Sequence, residues 1–287
     1  VIFLDWKRAI SILVASFIAL NIFLAINLYR QGKSADEFSL TPGQQEEIKK
    51  FLREKGVDLR VKSLKEGRPQ SLLEVSFEKV DEEEVLKNFF GEKEIPKVIE
   101  VQDSRKYTLE NQQLIVADNG FITYFNNNEE VIWPNLTREQ AEKEAEDFIK
   151  KRAKITKGAV LDKVTYDKES GGYLCEYVRY YDGFFIDNSY ITVLVTPSGI
   201  KTYYQCWLKP LGYVGKKRGV ISPLIAIMRV INEEETVTFP VAIVVVKQGY
   251  YSKIYDANRW QMPPVWKIES ENGQVYYVNA YTGEMEQ

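Results

Sequence analysis

Apolar residues run almost without a break from Ala9 to Tyr29, and beyond that stretch they fall into short periodic groups separated by charge. The 21-residue run holds no charged residue, proline or glycine. As a helix rising 1.5 Å per residue it would be about 31 Å long, which matches the hydrocarbon core of a bilayer. Trp6, Lys7 and Arg8 precede it, and Tyr29, Arg30 and Lys33 follow, so aromatic rings and cations stand at both expected interfaces. The pattern predicts one uncleaved transmembrane helix over 9–29, after a short tail (1–8) and before a polar connector (30–40). A cleaved signal peptide would have a shorter apolar core and a small-x-small site, and Asn27-Leu28-Tyr29-Arg30 has none. The flanking cations tie at two on each side, so the positive-inside rule does not orient the helix.

From Thr41 onward the spacing predicts three mixed units, 41–134, 135–210 and 211–287. In the first, Thr41, Pro42 and Gln44 form a capping-box start, Ile48, Phe51 and Leu52 have helical spacing, and Gly56 is the stop. Strands are expected at 57–61, 73–77, 97–102, 113–117 and 121–125, with a short helix capped by Asp81 between the second and third. The run Glu82-Glu83-Glu84 resembles a cation site, but acids in a first helical turn complement the helix dipole without any ligand. The second unit opens with Thr137 and Gln140, another capping pair, and a helix over 138–153 with Ala141, Ala145, Phe148 and Ile149 on one face. Four strands, 160–166, 173–180, 189–195 and 200–207, then read as an antiparallel meander. Lys209–Gly219, bearing glycines and lysines, reads as a linker. The third unit repeats the second in outline: Ser222-Pro223 opens a helix to Val230, and strands follow at 242–246, 265–269 and 275–280. The ends of the second and third units share a strand, a glycine turn and an outgoing strand, which suggests an internal repeat. The fold class expected is therefore α+β, with helix-plus-antiparallel-sheet units behind one membrane helix.

Composition removes several function classes. The chain of 287 residues carries 38 Lys and Arg against 41 Asp and Glu, and the part beyond residue 30 has a net charge of −5. An acidic body argues against nucleic acid as a partner. There is no histidine, which excludes Ser-His-Asp and Cys-His nucleophiles and every histidine-containing zinc site. Cys175 and Cys206 lack metal-site spacing; they read either as one disulfide between neighbouring strands or as two small buried hydrophobes. No cofactor is expected.

Several stretches resemble the YycI-type regulators. They are Asp5-Trp6-Lys7 directly before an asparagine-containing span, Tyr180–Tyr204 (YYDGFFIDNSYITVLVTPSGIKTYY), and Trp266–Glu286 (WKIESENGQVYYVNAYTGEME), the last similar to the tail of PepSY-like modules. Val1–Leu4 stand outside the resemblance. It implies a membrane-anchored accessory regulator of a WalK (YycG) sensor histidine kinase, working with a YycH-like membrane protein. It also implies a cytoplasmic N-terminal tail, PepSY-like units outside the cytoplasm, and no enzymatic activity.

The residues that would carry such a function lie in the span. Ala9, Leu13, Ser16, Leu20, Phe23 and Asn27 share a 3.5-residue stripe, and small or polar residues there let helices approach and hydrogen-bond in lipid. Asn21 lies near mid-bilayer, about 120° from that stripe. An unpaired amide at that depth is costly, so Ser16, Asn21 and Asn27 are the candidate partner-binding residues. Three other readings compete. Asp182 and Asp187, flanking a turn, would be the carboxylate pair of a glycosidase. Tyr180, Tyr181 and Tyr203 would be stacking platforms for a cell-wall polymer. A PepSY-like module would inhibit a protease.

Overall fold

The computed structural model describes residues 40–286 apart from 62–63, 93–94, 156, 234–236 and 254–256. The expected span over 9–29 and most of the connector lie outside the described residues. Among the described residues no helix is long and apolar enough to cross a membrane.

Four helices and sixteen strands make up the described body, and three helix starts rest on local side-chain chemistry. Helix α1 (Pro42–Glu54) begins where Thr41 accepts from the Gln44 amide while the Gln44 side chain accepts from the Thr41 amide at 2.9 Å. Strands β1 (Val57–Leu59) and β2 (Gln70–Phe77) follow. Asp81 accepts from the Glu84 amide at 3.2 Å to start α2 (Glu82–Phe90). A run of hairpins then makes β3 (Lys97–Val101), β4 (Ser104–Leu109), β5 (Gln112–Ala117) and β6 (Ile122–Asn126). Thr137 and Gln140 cap α3 (Arg138–Lys151) in the same reciprocal way as the first helix. Such paired caps satisfy backbone donors that a helix start otherwise leaves orphaned.

The meander expected next is present as β7 (Ala159–Asp167), β8 (Gly172–Tyr181), β9 (Phe184–Thr196) and β10 (Gly199–Cys206), each antiparallel to the one before. The remaining elements are β11 (Leu208–Arg218), α4 (Pro223–Glu233), β12 (Val241–Tyr250), β13 (Trp260–Met262), β14 (Pro264–Ser270), β15 (Val275–Asn279) and β16 (Met285–Glu286). Ser222 sits before α4 as expected, but its hydroxyl donates to Glu66 while its carbonyl takes the bond from the Ala226 amide.

The linker expected at 209–219 is instead β11, an edge strand antiparallel to β2. Its glycines do not end the strand. Gly212 and Gly215 have φ of +131° and +79°, and the pairing register shifts across both positions, so they supply bulges that bend the strand. Pro210 is tolerated because an edge strand has a side that needs no donor.

Thirteen strands form one mostly antiparallel sheet, ordered β16-β15-β14-β12-β9-β10-β6-β5-β4-β3, with β8 also on β9, β7 on β8, and β1 on β12. A second sheet has the order β11-β2-β13. The large sheet is two blocks with a narrow seam. Strands β12 and β9 are parallel and share only the pairs Gly249–Phe185 and Tyr250–Ile186. Beyond the seam, β9 pairs with β8 and β10.

Each block has its own core, and a third core spans the seam. Leu52 of α1, Val57 of β1 and Leu224, Ile227 and Val230 of α4 pack on Ile243, Ile268 and Val278. Phe89 of α2 and Ala141, Ala145 and Ile149 of α3 pack on Leu114, Tyr124, Ile191, Val193 and Tyr203. Between the small sheet and the seam, Leu73, Val75, Trp260 and Met262 close over Phe184, Ile186 and Tyr250. These cores cross the order of the chain: α1 and β1 join the C-terminal helix, and β3–β6 extend the sheet of the meander.

Candidate functional site

Ser16, Asn21 and Asn27 lie outside the described residues. The candidate chemistry of the body can be placed residue by residue, beginning at the seam. Opposite the adjacent residues Val178 and Arg179 of β8, strand β9 pairs through Tyr190 and Ile186, so Asp187, Asn188 and Ser189 form a three-residue bulge. Every one of the three is tied down. Asp187 accepts from Lys267 Nζ at 2.7 Å and from the Tyr277 hydroxyl. Asn188 Oδ1 accepts from the Ser252 amide at 3.2 Å, and Ser189 Oγ accepts from the Leu208 amide at 2.9 Å. The bulge thereby fastens β9 to β14, β15, the start of β11 and the segment that follows β12.

Asp182 and Asp187 do not converge as a glycosidase pair. Asp182 occupies the β8–β9 turn with φ +48° followed by Gly183 at +82°, and its carboxylate meets Tyr213. Asp187 is neutralised by Lys267 on another element. The pair of aspartates reflects turn geometry and a bulge anchor.

The three tyrosine platforms separate likewise. Tyr203 is fully buried, its hydroxyl bonded to Gln205 and its ring 5.4 Å from Phe148 and 5.8 Å from Phe89. It belongs to the core, because alternation along β10 points it at α2 and α3. Tyr181 packs against Tyr213 at 5.7 Å. Tyr180 alone reaches a cleft, lining both a cavity of about 200 Å³ beside Asp162, Asp187, Lys247 and Lys267 and an adjoining groove of about 550 Å³ beside Arg68 and Phe185. The cavity's charges are largely spent on each other, with Lys247 on Asp162 at 3.0 Å and Lys267 on Asp187.

Cys175 and Cys206 are both free and buried, which corrects the disulfide alternative. They lie on β8 and β10, the two strands that flank β9. Two strand spacings are about 9.6 Å, beyond the reach of a disulfide. Burial pushes the Cys175 thiol up to about 11 and the Cys206 thiol up to about 12, so both stay protonated at neutral pH. Glu82 pairs with Arg105 at 2.9 Å. Among the described residues no three of His, Cys, Asp and Glu gather as a metal cluster.

Buried tyrosines give the body an alkaline limit. Desolvation holds the hydroxyls of Tyr177, Tyr203, Tyr204, Tyr250 and Tyr277 well above their ordinary value, and pushes Tyr213 up to about 12. The folded state keeps these protons where the unfolded chain, titrating near 10, has released them. Stability is therefore intact below pH of about 10 and declines as pH rises from about 10 toward 12. Circular-dichroism melts at successive pH values should show the midpoint level to pH 9 and falling steeply above 10. A midpoint unchanged at pH 11 would contradict this.

Strand β3 forms one of the open edges of the body. Strand β3 ends the large sheet, all five of its residues are exposed, and β4 is its sole strand neighbour among the described residues.

The described body is a mixed α+β fold with a bare strand edge at β3. Comparison with known families gives the particular assignment: the family model described as "YycI protein" matches residues 36–281, and the chain belongs to that family. It is a family of non-enzymatic, membrane-associated regulatory proteins linked to WalK/YycG signalling. No curated protein matched the sequence. A solved structure of similar fold is the crystal structure of an uncharacterized protein from Eubacterium rectale, with a TM-score of 0.53 at 10% identity over 80% of this chain and 89% of that one. At that identity the likeness concerns the fold alone.

Proposed function

We propose that this protein is a membrane-anchored extracytoplasmic regulator that holds a WalK/YycG-type sensor histidine kinase in one signalling state. It acts together with a YycH-like membrane protein, through its span and its outer body. The observation that carries this reading is the family match, which runs through nearly the whole body. The uncharged span with polar residues on two faces supports it. The tail 1–8 is then cytoplasmic, and the body consists of PepSY-like units. A wall-polymer module is less well supported, since Tyr203 is in the core and Tyr181 is packed on Tyr213.

Regulation through the span requires that binding favour one kinase state, because equal affinity for both shifts nothing. Polar contacts within lipid contribute about 0.6 kcal/mol on average and up to about 1–2 kcal/mol. Asn21→Leu should therefore weaken co-purification with the kinase or the YycH-like partner a few-fold and shift kinase output, with protein level unchanged. Replacing 9–29 by an unrelated apolar helix should do more, by removing Ser16 and Asn27 as well. Kinase output unaltered by the full replacement would sink the span-mediated mechanism.

A further inference from the structure

We propose that the free edge of β3 is a strand-acceptor site, at which an extended segment of another protein adds one more strand to the large sheet. The inference goes beyond the regulator reading and does not depend on it. The backbone geometry comes first. Strands β3 and β4 are joined by the two-residue turn Gln102-Asp103, and their register runs without a shift from Val101–Ser104 to Lys97–Thr108. A two-residue turn makes Val101–Ser104 the closing hydrogen-bonded pair. Alternation along an antiparallel ladder then turns the backbone groups of Ile99 and Lys97 toward β4 and those of Val98 and Glu100 outward. Two N–H and two C=O groups thus stand at the rim with no strand beside them among the described residues.

The side chains agree with the backbone. Val98, Ile99 and Val101 are 55%, 59% and 49% exposed, and Ile95 just before the strand is 93% exposed. Ile99 and Val101 share one face and Val98 the other, so an added strand finds an apolar neighbour above and below. Natural edges are protected by bulges, covering elements or inward charges. Among the described residues β3 has neither bulge nor cover; its edge carries only Pro96, Lys97 and Glu100 as protection.

Those two charges point to the occupant. In a symmetric antiparallel pairing of two copies, residues of equal parity face one another. Ile99 then meets Ile99, and Glu100 meets Val98 in both halves, so no Lys97–Glu100 pair forms. A different chain can match the edge fully. Opposite Val101, Glu100, Ile99, Val98 and Lys97 in turn, it would present the order apolar, basic, apolar, apolar, acidic. The ligand class is an extended polypeptide of that pattern, bound by β-augmentation.

The test uses the full chain in detergent micelles and a capped synthetic peptide, Thr-Val-Lys-Val-Val-Glu-Thr, read by fluorescence anisotropy and by amide exchange over 95–102. The peptide should bind and slow exchange in β3, and exchanging its Lys and Glu should weaken it about five-fold. Glu100→Pro removes an outward donor without breaking the β3–β4 ladder, so it should reduce binding about ten-fold or more while the melting midpoint moves by less than about 2 °C. Ile99→Lys, which removes the apolar neighbour, should act in the same direction. No binding up to about 1 mM peptide, or binding indifferent to both variants, would overturn the proposal. So would a dimer of this chain that is lost in Glu100→Pro, which would make a second copy the occupant.

Discussion

Asp187→Ala should destabilise the folded body by about 3 kcal/mol, because it leaves the Lys267 ammonium buried without its counter-charge. The side chains of Lys267 and Asp187 are only 14% and 17% exposed, so water from the adjoining cavity replaces the lost carboxylate only in part. The same substitution takes away the acceptor of the Tyr277 hydroxyl, whose ring is stacked on Tyr251 at 3.9 Å. Urea unfolding of the full chain, followed by tryptophan fluorescence, gives the midpoint shift. Asp187→Asn should lose less, since an amide oxygen still accepts. The double change Asp187→Leu with Lys267→Met should lose less than the sum of its single changes, because both desolvated charges disappear together. A loss below about 1 kcal/mol for Asp187→Ala would show that the pair is exposed and that the bulge does not depend on it.

Gly249→Ala should be comparably damaging, and for a steric reason. A Cβ at 249 would lie 2.4 Å from two atoms of the Phe185 ring and 2.6 Å from a third. That ring is 3% exposed and belongs to the residue paired directly with Gly249 across the seam. The contact includes Cγ, which a flip of the ring about its own axis does not move, and only two residue pairs hold β12 to β9. Forcing a methyl into such packing costs about 1–3 kcal/mol at an ordinary core site, and the upper end applies here. The same unfolding assay measures it. Phe185→Leu in the Gly249→Ala background should recover part of the loss, whereas Phe185→Leu alone should be destabilising. If Gly249→Ala melts with the unaltered protein, the seam has slack and the close approach is not limiting.

The elements legible in the sequence are those encoded locally. Thr41 with Gln44 and Thr137 with Gln140 announce helix starts because the capping bonds are made within four residues. The meander is legible because Ser170-Gly171-Gly172, Asp182-Gly183 and Pro197-Ser198-Gly199 each suit a reversal. Strand β11 was hidden by the same rule: glycine punctuates turns and bulges alike, and only the partner strand tells them apart. Strand β4 (SRKYTL) has a single core residue, Tyr107, and offers no clear alternation. Partner choice is not encoded locally either. That β8 and β10 sit on opposite sides of β9 decides the fate of Cys175 and Cys206, and strand order is a property of the assembled sheet. Tyr203 and Tyr204 are adjacent and chemically alike, so the sequence cannot say which one faces inward. The bare rim at β3 was equally hidden, since Val98, Ile99 and Val101 read as an ordinary half-buried strand until the sheet is seen to stop there.

The parallel pairing of β1 with β12 sets Val57 beside Val241, and it fixes an order of events during synthesis. Helix α1 and β1 leave the ribosome early, but the apolar surface that receives Leu52 and Val57 is built from α4, β12, β14 and β15. Contacts across so many residues form slowly, because a long loop must close before any of them is made. The block of α2, α3 and β3–β10 can condense while the chain is still growing, and the N-terminal helix must wait for the last quarter of the sequence. Until then its apolar face is open to whatever is nearby, so chaperone binding and proteolysis during biogenesis should concentrate on the segment that follows residue 40.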